Sequence, residues 1–226
     1  MKQFNNAEVE LIGRYGNDMS VVNAARVSFD QGAEYAIPTE KDERLIHYLA
    51  SHKHHSPFNH AFLSFRVKAP IIVARQLVKH KFMPYNEVSR RYVTHHPDIY
   101  VPPKWRGRPT GNIKQGSGEL EGDCLTKQNF LTSIYLAATE EAFQAYDKLL
   151  NNGVAPEQAR MVLPQGVGTD WIWSGTLGAC LDMLVLRLPN DAQKESQEVA
   201  QKIGEVVKQI FPISFAAYNL HLNMKV

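Results

Sequence analysis

The first half of the chain mixes two-residue and helical periods of apolar residues. Between residues 61 and 68 apolar and polar side chains alternate, which predicts a half-buried strand. Pro70 suits the first turn of the helix that follows, whose apolar residues recur at helical spacing. Similar signals predict three earlier elements: a strand at residues 8–12 with a turn at 13–16, a helix from Asn17 or Asp18 to Arg26, and a helix capped by Thr39 and Asp42.

The second half is dominated by helical periods. Residues 126–152 carry the longest apolar stripe at helical spacing, and Gly153 ends it. A short helix between Pro156 and Pro164 is predicted next, and longer helical segments follow at residues 169–188 and 191–210. Residues 211–222 are expected to pack the end of the molecule. The pattern predicts an α+β (α/β) fold with a central antiparallel or mixed sheet, flanking helices and a helical C-terminal half.

Length and composition indicate one compact unit. Of the 226 residues 44% are hydrophobic, so we expect a single domain over residues 1–226. Prolines and glycines cluster at residues 97–123, which predicts a loop insertion, either a flap that covers a substrate with Trp105, Arg106 and Arg108 or a poorly ordered segment. Without an apolar run of about 18 residues or a signal-peptide core, we expect a cytoplasmic protein that does not enter the membrane.

Positive charge is concentrated in residues 75–92. This segment holds five Lys or Arg side chains and one acid, whereas the whole chain carries a net charge of +2. Uncharged polar residues among these cations favour a shaped anionic ligand, and the alternative is a solvated charged surface. Arg75 and Arg187 interrupt apolar runs, which predicts that both are buried. Together with Arg160 they are expected to converge on a common anion, unless each only caps a helix end.

The histidines and cysteines indicate neither a metal site nor a nucleophile. Four of the nine histidines lie within residues 51–60, but their spacing matches no metal-binding motif, so we expect no metal. Cys124 lies in a Gly-rich loop and Cys180 in an apolar run, without the cationic neighbours that activate a thiol. We therefore expect neither cysteine to attack a substrate.

The basic segment resembles the signature of a known enzyme family. Lys79, His80 and Lys81, followed after seven residues by Ser89, are similar to the Arg-His-Arg-x7-Ser motif of flavin-dependent thymidylate synthases (ThyX), with lysine in place of both arginines. Shorter stretches that resemble the family are residues 24–29, 56–60, 67–71, 73–76, 85–87 and 159–164. The resemblance runs from about residue 16 to residue 187, with a gap in the loop after Tyr100.

The resemblance implies an activity, its cofactors and an assembly. The implied reaction is the reductive methylation of dUMP to dTMP, with 5,10-methylenetetrahydrofolate as carbon donor, NADPH as reductant and FAD as bound cofactor. The implied fold is a ThyX-like catalytic domain that assembles as a homotetramer with shared active sites. The implied partners are the nucleotide and folate, with no membrane and no nucleic acid.

The resemblance also implies roles for individual residues. Arg187 is implied to be the catalytic residue that polarises the uracil ring. The implied cofactor-binding residues are Ser56, Lys79, His80, Lys81, Glu87 and Asp182. The implied substrate-binding residues are Gln76, Lys79, Glu87, Ser89, Arg90, Arg91, Arg160 and Arg187. Among these, Ser89, Arg91 and Arg160 would hold the phosphate.

Several positions depart from the family pattern. Thr176 and Gly178 replace the family's Asn-x-Arg pair, Asp182 replaces a flavin-contacting asparagine, and Asp191 replaces a histidine. In the motif itself, lysine supplies a point charge where arginine supplies a bidentate fork. We therefore expect a weakened grip on the adenine side of FAD, while the arginines that bind the nucleotide are intact.

Two other functions are compatible with these residues. One is a nucleic-acid-binding module that uses residues 75–91, for which a net charge of +2 is small. The other is a divergent ThyX-like enzyme that modifies C5 of a different pyrimidine nucleotide, or a relative that binds nucleotide without methylating it. A steep salt dependence of DNA affinity without nucleotide selectivity would favour the module.

Overall fold

The computed structural model describes residues 1–32, 37–109 and 116–224, and in these ranges the chain forms six strands and eight α-helices. The strands are β1 (Gln3–Phe4), β2 (Glu8–Tyr15), β3 (Phe62–Pro70), β4 (Tyr85–Glu87), β5 (Ile99–Tyr100) and β6 (Gly168–Thr176). The helices are α1 (Asp18–Arg26), α2 (Glu40–Ser51), α3 (Ile71–Leu77), α4 (Leu125–Asn151), α5 (Pro156–Ala159), α6 (Leu177–Arg187), α7 (Lys194–Ile210) and α8 (Pro212–Leu222). Short 3₁₀ helices span Val27–Phe29, Ser56–His60 and Arg160–Val162. The predicted α+β class is confirmed.

Strands β3 and β6 form the centre of a four-stranded antiparallel sheet. Its strand order is β2-β3-β6-β4, and β1 pairs with β5 in a separate parallel ladder. In β6, Trp171 and Trp173 are buried, whereas Ile172 between them is 47% exposed. The two tryptophans are paired with Val67 and Phe65 of β3, which are also buried. This alternation gives the central strands one buried face.

The helix predicted over residues 169–188 is wrong in its first half. Residues up to Thr176 form β6, and α6 begins at Leu177, where the Thr176 hydroxyl accepts a hydrogen bond from the Ala179 amide at 3.2 Å. Because both tryptophans bury their rings on one face, the two-residue period decides the backbone here. Ser174, Gly175 and Thr176 separate the tryptophans from the apolar residues of α6, and this short polar break marks the boundary that a single helical period overlooks.

Two predicted helix starts are confirmed by their caps. The side chain of Asn17 accepts a hydrogen bond from the Met19 amide at 3.0 Å at the start of α1. At the start of α2, the Thr39 amide donates to Asp42 Oδ2 at 2.7 Å, which completes a capping box.

The strand predicted at residues 8–12 is longer than expected. It continues to Tyr15 with an irregular register after Leu11, so the turn predicted over residues 13–16 is wrong for most of its length. Gly16 makes the turn, with a φ of +85° that glycine adopts without strain.

One cluster of buried apolar residues joins the sheet to helices α1, α2, α6, α7 and α8. The buried carboxylate of Asp18 ties the N-terminal part of the chain to α8. It accepts hydrogen bonds from the amides of Ile213 and Ser214 at 3.0 Å each, and from the Ser214 hydroxyl at 2.6 Å. No helix in the described ranges combines the length and the apolarity needed to cross a bilayer.

The loop predicted at residues 97–123 is fastened to α4 and α7 where it is described. Trp105 Nε1 donates to Thr132 Oγ1 at 2.9 Å, and Arg106 Nη2 donates to Glu195 Oε1 at 2.7 Å. The middle of the predicted insertion, residues 110–115, lies outside the described residues.

A β-bridge between Gly107 and Gly118 closes the described part of this loop into a hairpin. A Cβ on Gly107 would lie 2.1 Å from the carbonyl oxygen of Glu119, so the close approach of the two backbones requires glycine. That the hairpin covers a substrate stays a prediction.

Candidate active site

Arg75 lies on α3 between two cavities, which we call cavity A and cavity B. Cavity A has a volume of about 550 Å³, and its polar lining includes Arg75, Tyr85, Glu87, Arg90, Glu157, Arg160 and Thr169. Cavity B has a volume of about 670 Å³, and its polar lining includes Arg75, Gln76, Lys79, Arg106, Arg187, Asp191 and Gln193. Both volumes are typical of sites for small ligands.

The arginines are less buried than predicted. Arg75 and Arg160 are exposed, and Arg187 is partly buried. On α3 the buried residues are Val73, Ala74 and Leu77, so Arg75 lies on the solvent side of an amphipathic helix. Arg160 borders cavity A and Arg187 borders cavity B, so the predicted convergence of three arginines on one anion does not occur within a single chain.

Arg187 ends α6 and contacts His80, which follows α3. Its Nε atom donates a hydrogen bond to His80 Nε2 at 2.9 Å. Burial and, to a smaller extent, the charge of Arg187 lower the pKa of His80 to about 4. Burial also lowers the pKa of Arg187. A neutral imidazole therefore accepts a hydrogen bond from a cationic guanidinium.

Gln76 lines cavity B and carries an unpaired acceptor. Its Oε1 atom is buried and has no hydrogen-bond partner among the described residues. Buried amide oxygens are almost always paired in folded proteins, since an unpaired one costs about 1–3 kcal/mol. The hydrogen bonding of Gln76 is therefore incomplete in the single chain.

Cavity A is bordered by a carboxylate with defined partners. The Thr169 hydroxyl donates to Glu87 Oε1 at 2.6 Å. Burial, and next to it the charge of Glu87, raises the pKa of Tyr85. Arg90 donates to the His95 carbonyl oxygen at 2.9 Å, and burial lowers its pKa. These contacts fix Glu87 and Arg90 at the rim of the cavity.

Ser89 and Arg91 lie in the loop after β4 and line neither cavity. Arg91 Nη2 lies 3.1 Å from Glu157 Oε2, and the Ser89 hydroxyl oxygen accepts from the Arg91 amide at 3.3 Å. That Ser89 donates a hydrogen bond to a ligand rather than attacking it stays a prediction.

The remaining predicted cofactor residues also lie outside both cavities. Ser56 is the exposed first residue of a 3₁₀ turn, and Lys81 is exposed after His80. Asp182 lies in the middle of α6, with its Oδ1 atom 4.0 Å from Nδ1 of His55. Burial raises the pKa of Asp182. The structure therefore brings Gln76, Lys79 and Arg187 together and leaves these other residues outside that group.

Sequence reasoning missed several residues that border the cavities. Tyr85 and Thr169 contribute to cavity A beside Glu87, and Glu157 pairs with Arg91. Glu157 precedes Arg160 by three residues in a short helical segment, a spacing that places both side chains on one face and could have indicated it. In the described ranges, no group of three or more His, Cys, Asp or Glu side chains is arranged to hold a metal ion.

Comparison with known proteins identifies the family. The Thy1 family model, described as thymidylate synthase complementing protein, matches residues 10–213. The chain belongs to this family. A flavin-dependent thymidylate synthase from Thermus thermophilus is 39% identical over 214 residues, which cover 95% of this chain and 76% of the relative. One from Kosmotoga olearia is 36% identical over 93% of this chain and 89% of the relative.

A solved structure of similar fold supports the family assignment. It is the UMP/dUMP methylase PolB from Streptomyces cacaoi, bound with 5-Br dUMP. The two chains superpose with a TM-score of 0.87 at 28% identity, over 97% of each chain. The resemblance that the Lys79-His80-Lys81 segment indicated to flavin-dependent thymidylate synthases is confirmed.

In this member of the thymidylate synthase family, we expect His80 to remain neutral well below the ordinary histidine range. A histidine of the unfolded chain takes up its proton near pH 6.5, whereas folded His80 does so near 4. The contribution of His80 to stability is therefore complete above about pH 6.5 and is lost as the pH falls toward 4. An NMR titration of the ring protons measures the midpoint.

Replacing Arg187 by leucine provides the control for this titration. Arg187→Leu removes the positive charge but keeps a side chain beside His80 that shields it from water. The pKa of His80 should therefore rise only part of the way toward 6.5, because burial is the larger cause of its lowering. A His80 midpoint at or above 6.5 in the unaltered protein would contradict the burial seen here.

Proposed function

We propose that the protein catalyses the flavin-dependent reductive methylation of dUMP to dTMP. The observation that carries this proposal is that Lys79 and Arg187 line cavity B together with Gln76. A nucleotide's negative charge suits the two cations, and an amide side chain can pair with the polar edge of a uracil ring. The printed functions of the relatives and of the structural neighbour support the same substrate class.

Arg187 is the residue we assign to activation of the ring. C5 of uracil is a poor nucleophile, and negative charge develops on the ring as it reacts. A guanidinium at the ring edge stabilises that charge, more strongly when it is partly removed from water, as Arg187 is. A cysteine adduct has no support here, because Cys180 is buried with its pKa raised to about 12 and Cys124, at the start of α4, lines neither cavity A nor cavity B.

FAD is the cofactor we assign, with NADPH and 5,10-methylenetetrahydrofolate as co-substrates. Lys79 and Lys81 are exposed and form no ion pair with a described residue, so their ammonium groups suit the phosphates of a cofactor. The residues that would hold it are Ser56, Lys79, His80, Lys81, Glu87 and Asp182. A bound flavin supplies hydride chemistry, which no amino-acid side chain provides.

The N-terminal end of α6 supports a weakened grip on this cofactor. A Cβ on Gly178 would lie 2.6 Å from Asn59 Oδ1, and the Thr176 hydroxyl donates to the same oxygen at 2.7 Å. Asn59 thus fills the space that a longer side chain at position 178 would need. We infer that the positions where the family carries Asn and Arg are used here for protein contacts.

The phosphate of dUMP is assigned to Ser89, Arg91 and Arg160. Arg91 and Arg160 are exposed, and Arg91 is paired with Glu157 in the single chain. An exposed ion pair contributes about 0–1 kcal/mol, so a phosphate dianion can replace the Glu157 carboxylate at small cost.

A homotetramer with shared active sites is the assembly we infer. Arg160 and Arg187 border different cavities in one chain, so a site that uses both needs a second chain. Many large apolar residues are open to solvent, among them Phe82 (83% exposed), Tyr92 (80%) and Met161 (81%). Exposed apolar side chains in such number are typical of a chain whose surface is partly covered in an assembly.

UMP is a second candidate substrate, because the solved neighbour PolB is described as a UMP/dUMP methylase. Assays with both nucleotides in parallel separate the two. Turnover of UMP at a rate similar to dUMP would favour a broader C5-methylating activity on the same residues.

Replacing Arg187 by alanine tests the proposed function. Arg187→Ala should lower tritium release from C5-labelled dUMP by about a hundredfold or more, because stabilisation of ring charge is lost. The melting temperature and the flavin absorbance should remain close to those of the unaltered protein. Arg14→Ala, at an exposed arginine of β2, is the matched control. Near-normal turnover of Arg187→Ala would remove this residue from the mechanism.

Mixing two inactive variants tests the shared site. Arg160→Ala and Arg187→Ala, each inactive alone, should regain about a quarter of full activity when subunits are mixed at random, since one site in four then receives both arginines from different chains. No recovery, after exchange of subunits is verified by mass spectrometry, would show that both arginines act within one chain.

The absorbance spectrum of the purified protein tests the cofactor assignment. We expect a flavin spectrum with less than one flavin per chain, because Asn59 occupies the space beside Thr176 and Gly178. Added FAD should raise the occupancy, and dialysis should lower it again. A full complement of flavin that survives dialysis would contradict the weakened grip.

A further inference from the structure

We propose that His80 is a positioning residue that holds the guanidinium of Arg187 in one orientation for the reaction. The proposal rests on the proposed function, since it concerns the residue assigned to ring activation. Its basis is the 2.9 Å hydrogen bond from Arg187 Nε to His80 Nε2.

The chemistry of the two groups fixes the proton positions in this contact. A guanidinium carries only donors, so His80 Nε2 must accept. A neutral imidazole that accepts at Nε2 carries its proton on Nδ1. A doubly protonated ring has no acceptor left, so the contact exists only while His80 is neutral.

The contact uses the inner nitrogen of Arg187 and leaves the outer pair free. Among the described residues, His80 is the hydrogen-bond partner found for Arg187, and the two terminal nitrogens make no protein contact of this kind. Arg187 borders cavity B, which Gln76 and Lys79 also line. The two terminal nitrogens of Arg187 are therefore available to a ligand, while the hydrogen bond from Nε to His80 restricts rotation of the guanidinium.

His80 is itself held at two points. Its backbone amide donates to the Leu77 carbonyl oxygen at 3.0 Å, which fixes it to the end of α3. Its ring centroid lies 6.3 Å from that of Trp173 in the central strand β6, and the side chain is half-buried. An orienting group must be more rigid than the side chain that it orients, and a histidine anchored to a helix end and beside the sheet meets this condition.

Two substitutions of His80 distinguish the effect of the lost hydrogen bond from the effect of side-chain size. His80→Phe keeps the ring volume and removes the acceptor, so kcat for tritium release from dUMP should fall by about a hundredfold. The Kd of dUMP should change by less than about threefold, because the charge of Arg187 remains. His80→Gln places an amide oxygen near the position of Nε2 and should recover most of the lost kcat. His221→Phe, at an exposed histidine of α8, is the matched control.

A double-mutant cycle shows whether His80 acts through Arg187. Arg187→Lys keeps a positive charge and removes the Nε–H that contacts His80. If His80 works by orienting Arg187, His80→Phe should cost about a hundredfold alone and less than about threefold in the Arg187→Lys protein. Equal losses in both backgrounds, or a Gln variant as slow as the Phe variant, would overturn the proposal. Because His80 is also assigned to the flavin, kcat is expressed per bound flavin for every variant, and a loss that disappears on this basis would overturn the proposal as well.

Nitrogen NMR of the histidine side chains gives a readout that does not depend on turnover. At neutral pH, His80 should carry its proton on Nδ1, and this preference should weaken in the Arg187→Lys protein. If the unaltered protein releases no tritium, the proposed function fails, and the NMR result decides the positioning contact separately. A proton on Nε2 of His80 in the flavin-loaded protein would overturn the proposal whatever the activity.

Discussion

The pairing of β3 with β6 is the constraint on which the rest of the molecule depends. Nine consecutive residue pairs join the two strands, and each strand continues directly into a helix, β3 into α3 and β6 into α6. Because the strands are antiparallel, the two helices start from opposite ends of one ladder, and His80 after α3 meets Arg187 at the end of α6. A slip of one residue would move one helix by about 3.3 Å along the other and turn the buried tryptophans outward. A change in the register of the sheet would therefore also change the geometry of the site.

The two buried tryptophans of β6 show which force fixes this register. Trp171 and Trp173 are almost fully buried, yet Nε1 of each lacks a hydrogen-bond partner among the described residues. Each unpaired donor costs about 1–3 kcal/mol. Burying an aromatic side chain of about 150–250 Å² contributes about 4–6 kcal/mol at 25 cal/mol per Å². Ring burial outweighs the lost hydrogen bonds, so a strand with two unpaired donors remains at the centre of the sheet.

Local signals predicted much of the fold, and the errors have a common cause. Capping residues such as Thr39 and Asp42 act within a few positions, so the helix that they start was predictable. Whether Arg75 is buried depends on which side of α3 meets the sheet, and apolar neighbours along the chain do not reveal this. The separation of Arg160 and Arg187 into two cavities is a property of the tertiary fold, which no local pattern records. The motif around Lys79 indicated the chemistry because its residue types and their spacing are characteristic of the family. No prediction of tertiary structure was needed for that inference.

The hydrogen bonds between Asp18 and the first turn of α8 have a consequence for synthesis of the chain. The partners are 195 and 196 residues apart, so they meet only when almost the entire polypeptide has left the ribosome. At a synthesis rate of about 5–20 residues per second, the first turn of α8 is made roughly 10 to 40 seconds after Asp18. During that interval the carboxylate of Asp18, buried in the finished protein, remains without its hydrogen-bond donors. The first residue of α1 is thus among the last in this polypeptide to complete its native hydrogen bonds.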